Sequence, residues 1–426
     1  MFSPLKEPFT ETRLQRHLRY LLYISAPLLL NACEKQSLET LKDIATPPSS
    51  TVSVSADTFG FMPDGSEVIR YTLTTPDKLS IKLLAYGGII QSIQMPDKNG
   101  ALADVVLGFD TLADYLADQR YFGPLIGRYA NRIEFGQYTF NGQKIQLDPN
   151  RKGHHLHGGS HGFHKVLWES ESYQHEHAAG VKLILFSPDG DNGYPGNMEV
   201  TVNYELNDQN ELRLTFEANT DKATPVSMTN HSYFNLAGQG TVLKHKIQIH
   251  AQHFTPVDST LIPTGEIQSV ENTSMDLRQP TVIEVGLSRK GDQMTFGQGF
   301  DHNWVIKQEQ SAKILPMVTL TDPASGRKME ILSNAPGLQF YSGNFLNDDI
   351  VGKNKMVYRH RTGLVLEPQQ FPNAPNETAF PSPIIAAADK YQHTIIYRFS
   401  NQADANNTIL QTPLPATTTK PNSPEQ

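Results

Sequence analysis

The chain has 426 residues, 38% of them hydrophobic and 19% charged, and a single cysteine. A chain this long buries an ample core without disulfide or metal staples, and one cysteine excludes any intramolecular disulfide. The formal charge of −8 argues against a nucleic-acid or phosphate partner, either of which calls for a basic surface.

Residues 1–32 read as a leader ahead of Cys33. Lys6, Arg13, Arg16 and Arg19 make a basic region. The apolar run YLLYISAPLLL (residues 20–30) is shorter than the roughly 20 residues a membrane-spanning helix needs. It closes in LNAC, with small Ala32 immediately before Cys33. This pattern resembles a bacterial lipoprotein signal, in which the cysteine is lipidated and heads the mature chain. The resemblance implies an exported protein of a bacterium, periplasmic or membrane-anchored, touching the membrane only through Cys33. Asn31 departs from the usual pattern and leaves ordinary signal-peptidase cleavage nearby as an alternative; a short buried helix with a core cysteine is another. Residues 33–57, with Pro47, Pro48 and a Ser/Thr cluster, read as a polar linker, and residues 401–426, rich in Asn, Thr and Pro, as a disordered tail.

Between them, residues 58–400 are dominated by period two and by turns. SEVIRYTLTT (66–75), LSIKLLAYG (79–87), VKLILFS (181–187), MEVTVNYEL (198–206) and ELRLTFEAN (211–219) alternate apolar and polar residues. KHKIQIHA (244–251), MVTLTDP (317–323), RKMEILSN (327–334) and HTIIYRFS (393–400) continue the series. Turn signals at 63–65, 97–100, 141–142 and 188–190 separate the early runs, and the best helical pattern, FDTLADYLADQR (109–120), is short. The expectation is a single all-β domain, a sandwich or barrel of many short antiparallel strands.

Several stretches are too rich in His, Asn, Gly and Pro to be strands chosen for packing. They are residues 123–136, 154–168, 187–198, 229–238, 299–304, 338–346 and 363–376. Together they place His, Arg, Asp, Gln and Glu near aromatic rings and flexible backbone. That inventory suits a neutral polyhydroxylated ligand, which needs directional hydrogen bonds and apolar faces for its C–H surfaces. The motifs ANRI, LHGG, SPDG-x-x-GYPG, NHSYFNL, DHN and LEPQ, in this order, resemble those of the aldose 1-epimerase (galactose mutarotase) family across residues 57–400. The resemblance implies a large twisted antiparallel β-sandwich with a sugar cleft. It also implies an isomerase of free aldohexoses such as D-glucose and D-galactose.

Anomer interconversion opens and recloses the sugar ring. One group takes the proton of the C1 hydroxyl, another protonates the ring oxygen, and no cofactor is needed. The resemblance assigns His231 as the general acid and Glu367 as the general base. His157 matches the family's second active-site histidine, which the resemblance implies binds the sugar and shares the acid's work. Asn131, Arg132, Tyr233, Asp301 and Gln339 match substrate-binding positions. Taken alone, His231 could equally cap a strand end, and Glu367 could be an exposed carboxylate, although the apolar GLVL before it implies burial. His154, His155, His157, His161 and His164 invite a metal reading, but the run is broken by glycine and lacks Cys or carboxylate partners. We therefore expect no metal and read the other four histidines as loop residues. Arg128 reads as structural, and Trp168, Phe234 and Trp304 as core residues or as stacking platforms.

Three rival functions follow from the same residues. Asp301 and Glu367 could be the carboxylate pair of a glycoside hydrolase. The fold could serve a non-catalytic sugar-binding module, for which an acid–base pair would be superfluous. A sugar-phosphate epimerase would require a basic cluster beside the motifs, and none is visible.

Overall fold

The computed structural model describes residues 51–307, 311–347 and 349–402, which fall within one compact unit. The leader, Cys33, most of the expected linker and the tail beyond residue 402 lie outside the described residues. Where the linker expectation can be compared it is corrected. A strand, Ser53–Phe61, starts before Asp57 and pairs antiparallel with Glu67–Thr74.

Three antiparallel sheets carry the architecture of the described residues. The first has five strands in chain order: Ser53–Phe61, Glu67–Thr74, Ser80–Leu84, Ile89–Pro96 and Leu102–Asp104. The second has nine, running in space from Glu169–Gln174 through Ala178–Ser187, Met198–Asn207, Glu211–Thr220, Lys390–Asn401, Arg327–Ser333, Leu315–Thr321 and Lys246–Ile249 to Thr281–Val282. The alternating runs of the sequence all lie in these two sheets. In Met198–Asn207, for example, Met198, Val200, Val202, Tyr204 and Leu206 are buried while the residues between them are not. The two-residue period thus sends one face to the core and leaves the other wet. Asn141 and Gly142, at φ 50° and 75°, form the tight turn that joins Gln137–Phe140 to Gln143–Gln146. The expected helix is a short one, Leu112–Ala117, capped by the Thr111 hydroxyl, which accepts from the Asp114 N–H at 3.2 Å.

The third sheet holds the site. Its six strands run in space as Tyr233–Phe234, Leu364–Gln369, Gly337–Tyr341, Asp301–Val305, His253–Thr255 and Gln268–Ser269. Four of these lie in the segments read as too rich in polar residues, Gly and Pro for packed strands, and the expectation is corrected there; both residues of Tyr233–Phe234 are buried. Every residue of Leu364–Gln369, Gly337–Tyr341 and Asp301–Val305 is buried. Burial of both faces removes the polar–apolar alternation that marks a half-exposed strand. Phe234, Leu338, Phe340, Leu364, Leu366, Trp304 and Phe254 share one hydrophobic core with the inward residues of the other two sheets. The opposite face carries Tyr233, Glu367, Gln369, Gln339, Asp301, Asn303 and Thr255, because residues paired across strands share a face.

Candidate active site

Register builds the floor of the site. Glu367 is paired with Gln339, Gln339 with Asn303, and Asn303 with Thr255, so one row of polar side chains crosses four strands. Tyr233 is paired with Val365. Continuing that antiparallel register by two residues on each strand sets His231 beside Glu367. The backbone of His231 is fixed independently, its N–H donating to Pro124 O at 3.0 Å and its carbonyl accepting from Gly123 at 3.0 Å. The His231 ring therefore faces the carboxylate, with Nε2 3.9 Å from Glu367 Oε1.

A wall of two paired segments adds the remaining groups. Arg132–Ile133 pairs with His155–Leu156, which brings Asn131 and Arg132 next to His157. The Asn131 N–H donates to His157 Nδ1 at 3.2 Å, so the neutral ring carries its hydrogen on Nε2. Asn131 and His157 both sit at positive φ, 65° and 52°. Such left-handed backbone is unfavourable for residues with a side chain and is retained where surrounding structure imposes it. Gly158, at φ +85°, follows His157, and a Cβ there would overlap the carbonyl oxygen of Gly127. Arg132 lies 3.5 Å from Asp301, whose other oxygen accepts from Gln339 Nε2 at 2.7 Å. Arg132 also donates to the Asn131 side chain at 3.2 Å.

His157, His231 and Glu367 present their polar atoms within 4.8 Å of one another, and all three are buried. This is the cluster in which a divalent cation would have to sit if one were used, and it differs from the His154–His164 run. Burial pushes Glu367 well above the usual carboxylate range, with the Asp301 charge adding to the rise and Arg132 opposing it. Burial depresses His231 to about 4. It also holds His157 well below the ordinary histidine range, with His231 and Arg132 contributing. Each shift disfavours a lone charge, so the pair is most stable when its net charge is zero and one titrating proton is shared between carboxylate and imidazole. That is the inventory a base and an acid need at the start of a turnover.

Every residue expected at the sugar site is brought to this face or wall, while Cys33 lies outside the described residues. The other histidines have separate places. His155 is buried, with Nδ1 2.8 Å from Asp148 O and Nε2 2.5 Å from the Tyr194 hydroxyl, which corrects its reading as a loop residue. His154 is also buried and accepts the Phe135 N–H at 3.1 Å. His164 is buried with its ring 4.8 Å from that of Tyr121, and His161 is exposed in the loop. Arg128 is structural. Its guanidinium donates to the Ser187 hydroxyl and to the carbonyls of Ser187, Pro188 and Pro195, tying down the SPDG segment. Trp168 and Trp304 are core residues whose indole N–H groups donate to Phe163 O and Met275 O, and Phe234 is fully buried in the same core. Sequence reasoning missed Tyr121, whose ring lies 4.8 Å from His157 and 5.7 Å from His231. It missed Tyr341 as well, whose ring meets that of Tyr233 edge-on at 6.1 Å and stacks on exposed Phe345 at 5.9 Å. Neither carries a motif signal, and only the unusual positive φ of Tyr121 distinguishes it.

A buried carboxylate facing a histidine, above a floor of amides, Asp301 and Arg132, defines an acid–base enzyme built for a hydroxyl-rich ligand. Comparison with known proteins agrees. The family model for aldose 1-epimerases matches residues 70–398. Galactose mutarotase of Mus musculus is 42% identical over 351 residues, covering 82% of this chain and 99% of the relative. Aldose 1-epimerase of Escherichia coli K12 is 34% identical over 347 residues, covering 80% and 98%. Among solved structures, galactose 1-epimerase from Lactobacillus acidophilus superposes with a TM-score of 0.72 at 26% identity, covering 82% of this chain and 99% of that one. The chain belongs to the aldose 1-epimerase family and is an isomerase that interconverts the anomers of an aldose.

Proposed function

We propose that the enzyme acts on free aldohexoses, D-glucose and D-galactose among them, with Glu367 as base and His231 as acid. The observation that carries this reading is the 3.9 Å approach of His231 Nε2 to Glu367 Oε1. The C1 hydroxyl and the ring oxygen are bonded to the same carbon, so two groups this close can each reach one of them. Glu367 takes the C1 hydroxyl proton, the bond from C1 to the ring oxygen breaks, and its electron pair accepts the proton of His231. Rotation about C1–C2 turns the aldehyde face. On reclosure the hydroxyl returns its proton to His231, and the former aldehyde oxygen takes the one held by Glu367. The pair ends as it began. His157, Asn131, Arg132, Asp301, Gln339 and Tyr233 are assigned to the sugar hydroxyls and to orientation of the ring.

A glycoside hydrolase would need a second carboxylate free to act across a glycosidic bond. Asp301 is instead engaged by Gln339 and Arg132. Polarimetry or NMR of freshly dissolved α-D-glucose and α-D-galactose tests the proposal. Acceleration of the approach to anomeric equilibrium is expected, and a rate no faster than buffer alone would remove it.

We further assign the enzyme to the exported compartment, tethered through Cys33, on the strength of the basic region, the short apolar run and Ala32–Cys33. Stable tethering takes more than one acyl chain, as in the lipoproteins that this leader resembles. A clickable fatty acid should label the wild type but not Cys33→Ser, which should release active enzyme to the soluble fraction. A cytosolic, unlabelled wild type with an intact Met1 would refute the assignment.

A further inference from the structure

The LEPQ segment contains a side chain that the acid–base reading leaves unused. Gln369 lies on the same face as Glu367, two residues along the strand, and neither its Oε1 nor its Nε2 has a hydrogen-bond partner among the described residues. Around it the same condition recurs. Glu367 Oε2, Gln339 Oε1, Asn303 Oδ1 and Thr229 Oγ are also unpartnered, and all five residues are at most 2% exposed. Buried polar atoms left unpaired are rare in folded proteins, and six of them on one layer are too many to be incidental.

These atoms form a contiguous set. Gln339 pairs with Glu367 on one side and Asn303 on the other. The Tyr233–Val365 register, continued by four residues on each strand, sets Thr229 beside Gln369. Gly337, the partner of Gln369, adds no side chain to the layer, and a Cβ there would overlap the Asn303 amide oxygen. The layer is also short of donors. Four of the six atoms are oxygens that only accept, those of Glu367, Gln339, Asn303 and Gln369, whereas only the Thr229 hydroxyl and the Gln369 amide nitrogen donate. A water molecule brings two hydrogens and two lone pairs. Same-face neighbours on a strand stand about 6.6 Å apart, a gap that one water spans.

We propose that Gln369, with Thr229 and Asn303, is a positioning residue that holds an ordered water against Glu367 Oε2. Glu367 Oε1 meanwhile faces His231 and the sugar. The bridged water donates to the carboxylate and so supports its ionised form, which is the form that takes the C1 proton. The proposal rests on the reading of Glu367 as the base, and the two are separable by experiment.

In the full-length protein, Gln369→Leu removes the amide while keeping the bulk. The expected result is a kcat lower by about tenfold, a KM within about twofold of wild type, and an alkaline limb of the pH–rate profile raised by about one unit. The two effects are linked, since what makes the Glu367 anion harder to form also lowers the share of the reactive carboxylate–imidazolium pair. The titratable and charged groups around Glu367, namely His231, His157, Asp301, Arg132 and Tyr233, with Tyr397 from the core, are untouched by the change. A merely structural role for Gln369 would lower stability without moving that limb. Wild-type kcat with an unmoved limb in folded Gln369→Leu overturns the positioning role, whereas full activity in Glu367→Gln overturns the base itself. If Gln369→Leu does not fold, Thr229→Val should move kcat and the limb in the same directions by a smaller amount, and no movement in that variant overturns the proposal. A crystal structure showing ordered waters should place one within hydrogen-bonding distance of both Glu367 Oε2 and the Gln369 amide. Direct side-chain contacts filling that space would overturn it.

Discussion

At the scale of single residues, the proposed chemistry depends on two groups whose surroundings push them in opposite directions. Burial depresses His231 to about 4, and it raises Glu367 well above the carboxylate range, helped by Asp301. The shared-proton state is bounded on the acid side by uptake of a second proton and on the alkaline side by loss of the last. The kcat/KM profile should therefore be a bell, with its acid limb at about 4 and its alkaline limb above the ordinary carboxylate range. A rate that falls through an ordinary histidine midpoint would contradict this. His231→Ala and Glu367→Gln should each lower the mutarotation rate by at least about a hundredfold with unchanged circular dichroism. Neither step needs a Lewis acid, so dialysis against EDTA should leave the rate intact. A loss restored by zinc would instead make His157, His231 and Glu367 a metal site. The places of His231, Glu367 and Asp301 in the site were legible because each sits in a recognisable motif. Tyr121 and Tyr341 were not, since an aromatic residue beside a cleft looks, in sequence, like any core aromatic.

At the scale of elements, the site is made by strands that do not look like strands and by turns that tolerate no side chain. Gly158 shows the second point. Its φ of +85° alone would cost a substituted residue about 1–2 kcal/mol. Its contact with Gly127 is against main chain, which cannot step aside as a flexible side chain can. Gly142, at φ +75°, has open space where a Cβ would go and serves as the comparison. Gly142→Ala should lower the melting temperature modestly and leave the rate unchanged. Gly158→Ala should lower it far more and, where folded protein is recovered, slow mutarotation by shifting His157. Equal melting temperatures for the two variants would show that Gly158 answers only to backbone conformation. The half-exposed strands were readable in sequence, as in Met198–Asn207, where alternation records one wet and one dry face. Leu364–Gln369 was not, because core on one side and a shielded polar layer on the other leave no contrast with solvent.

At the scale of the molecule, burial of titratable rings links stability to pH. His155, His245 and His393, outside the catalytic cluster, are each depressed to about 4 by burial. The unfolded chain binds protons at these rings below the ordinary value of 6.5, while the folded chain refuses them until about 4. Unfolded protein therefore holds more protons across that window, and stability rises with pH there. The contribution is complete above 6.5 and is lost as pH falls toward 4. Urea midpoints should accordingly drop from pH 7.5 to pH 5 with an unchanged m-value, and a constant midpoint would show that these rings are protonated in the fold. What the sequence by itself determined was local or compositional. It marked out the alternating strands, the Asn141–Gly142 turn, the acidic balance and the motifs that carry the family resemblance. Only the tertiary structure decided that His231 faces Glu367, that His157 stands beside Asn131, and that Gln369 lies in one polar layer with Glu367. Those relations join residues from 26 positions apart, as for Asn131 and His157, to more than a hundred, as for His231 and Glu367, through cross-strand register and close backbone contact, which single-segment patterns do not encode.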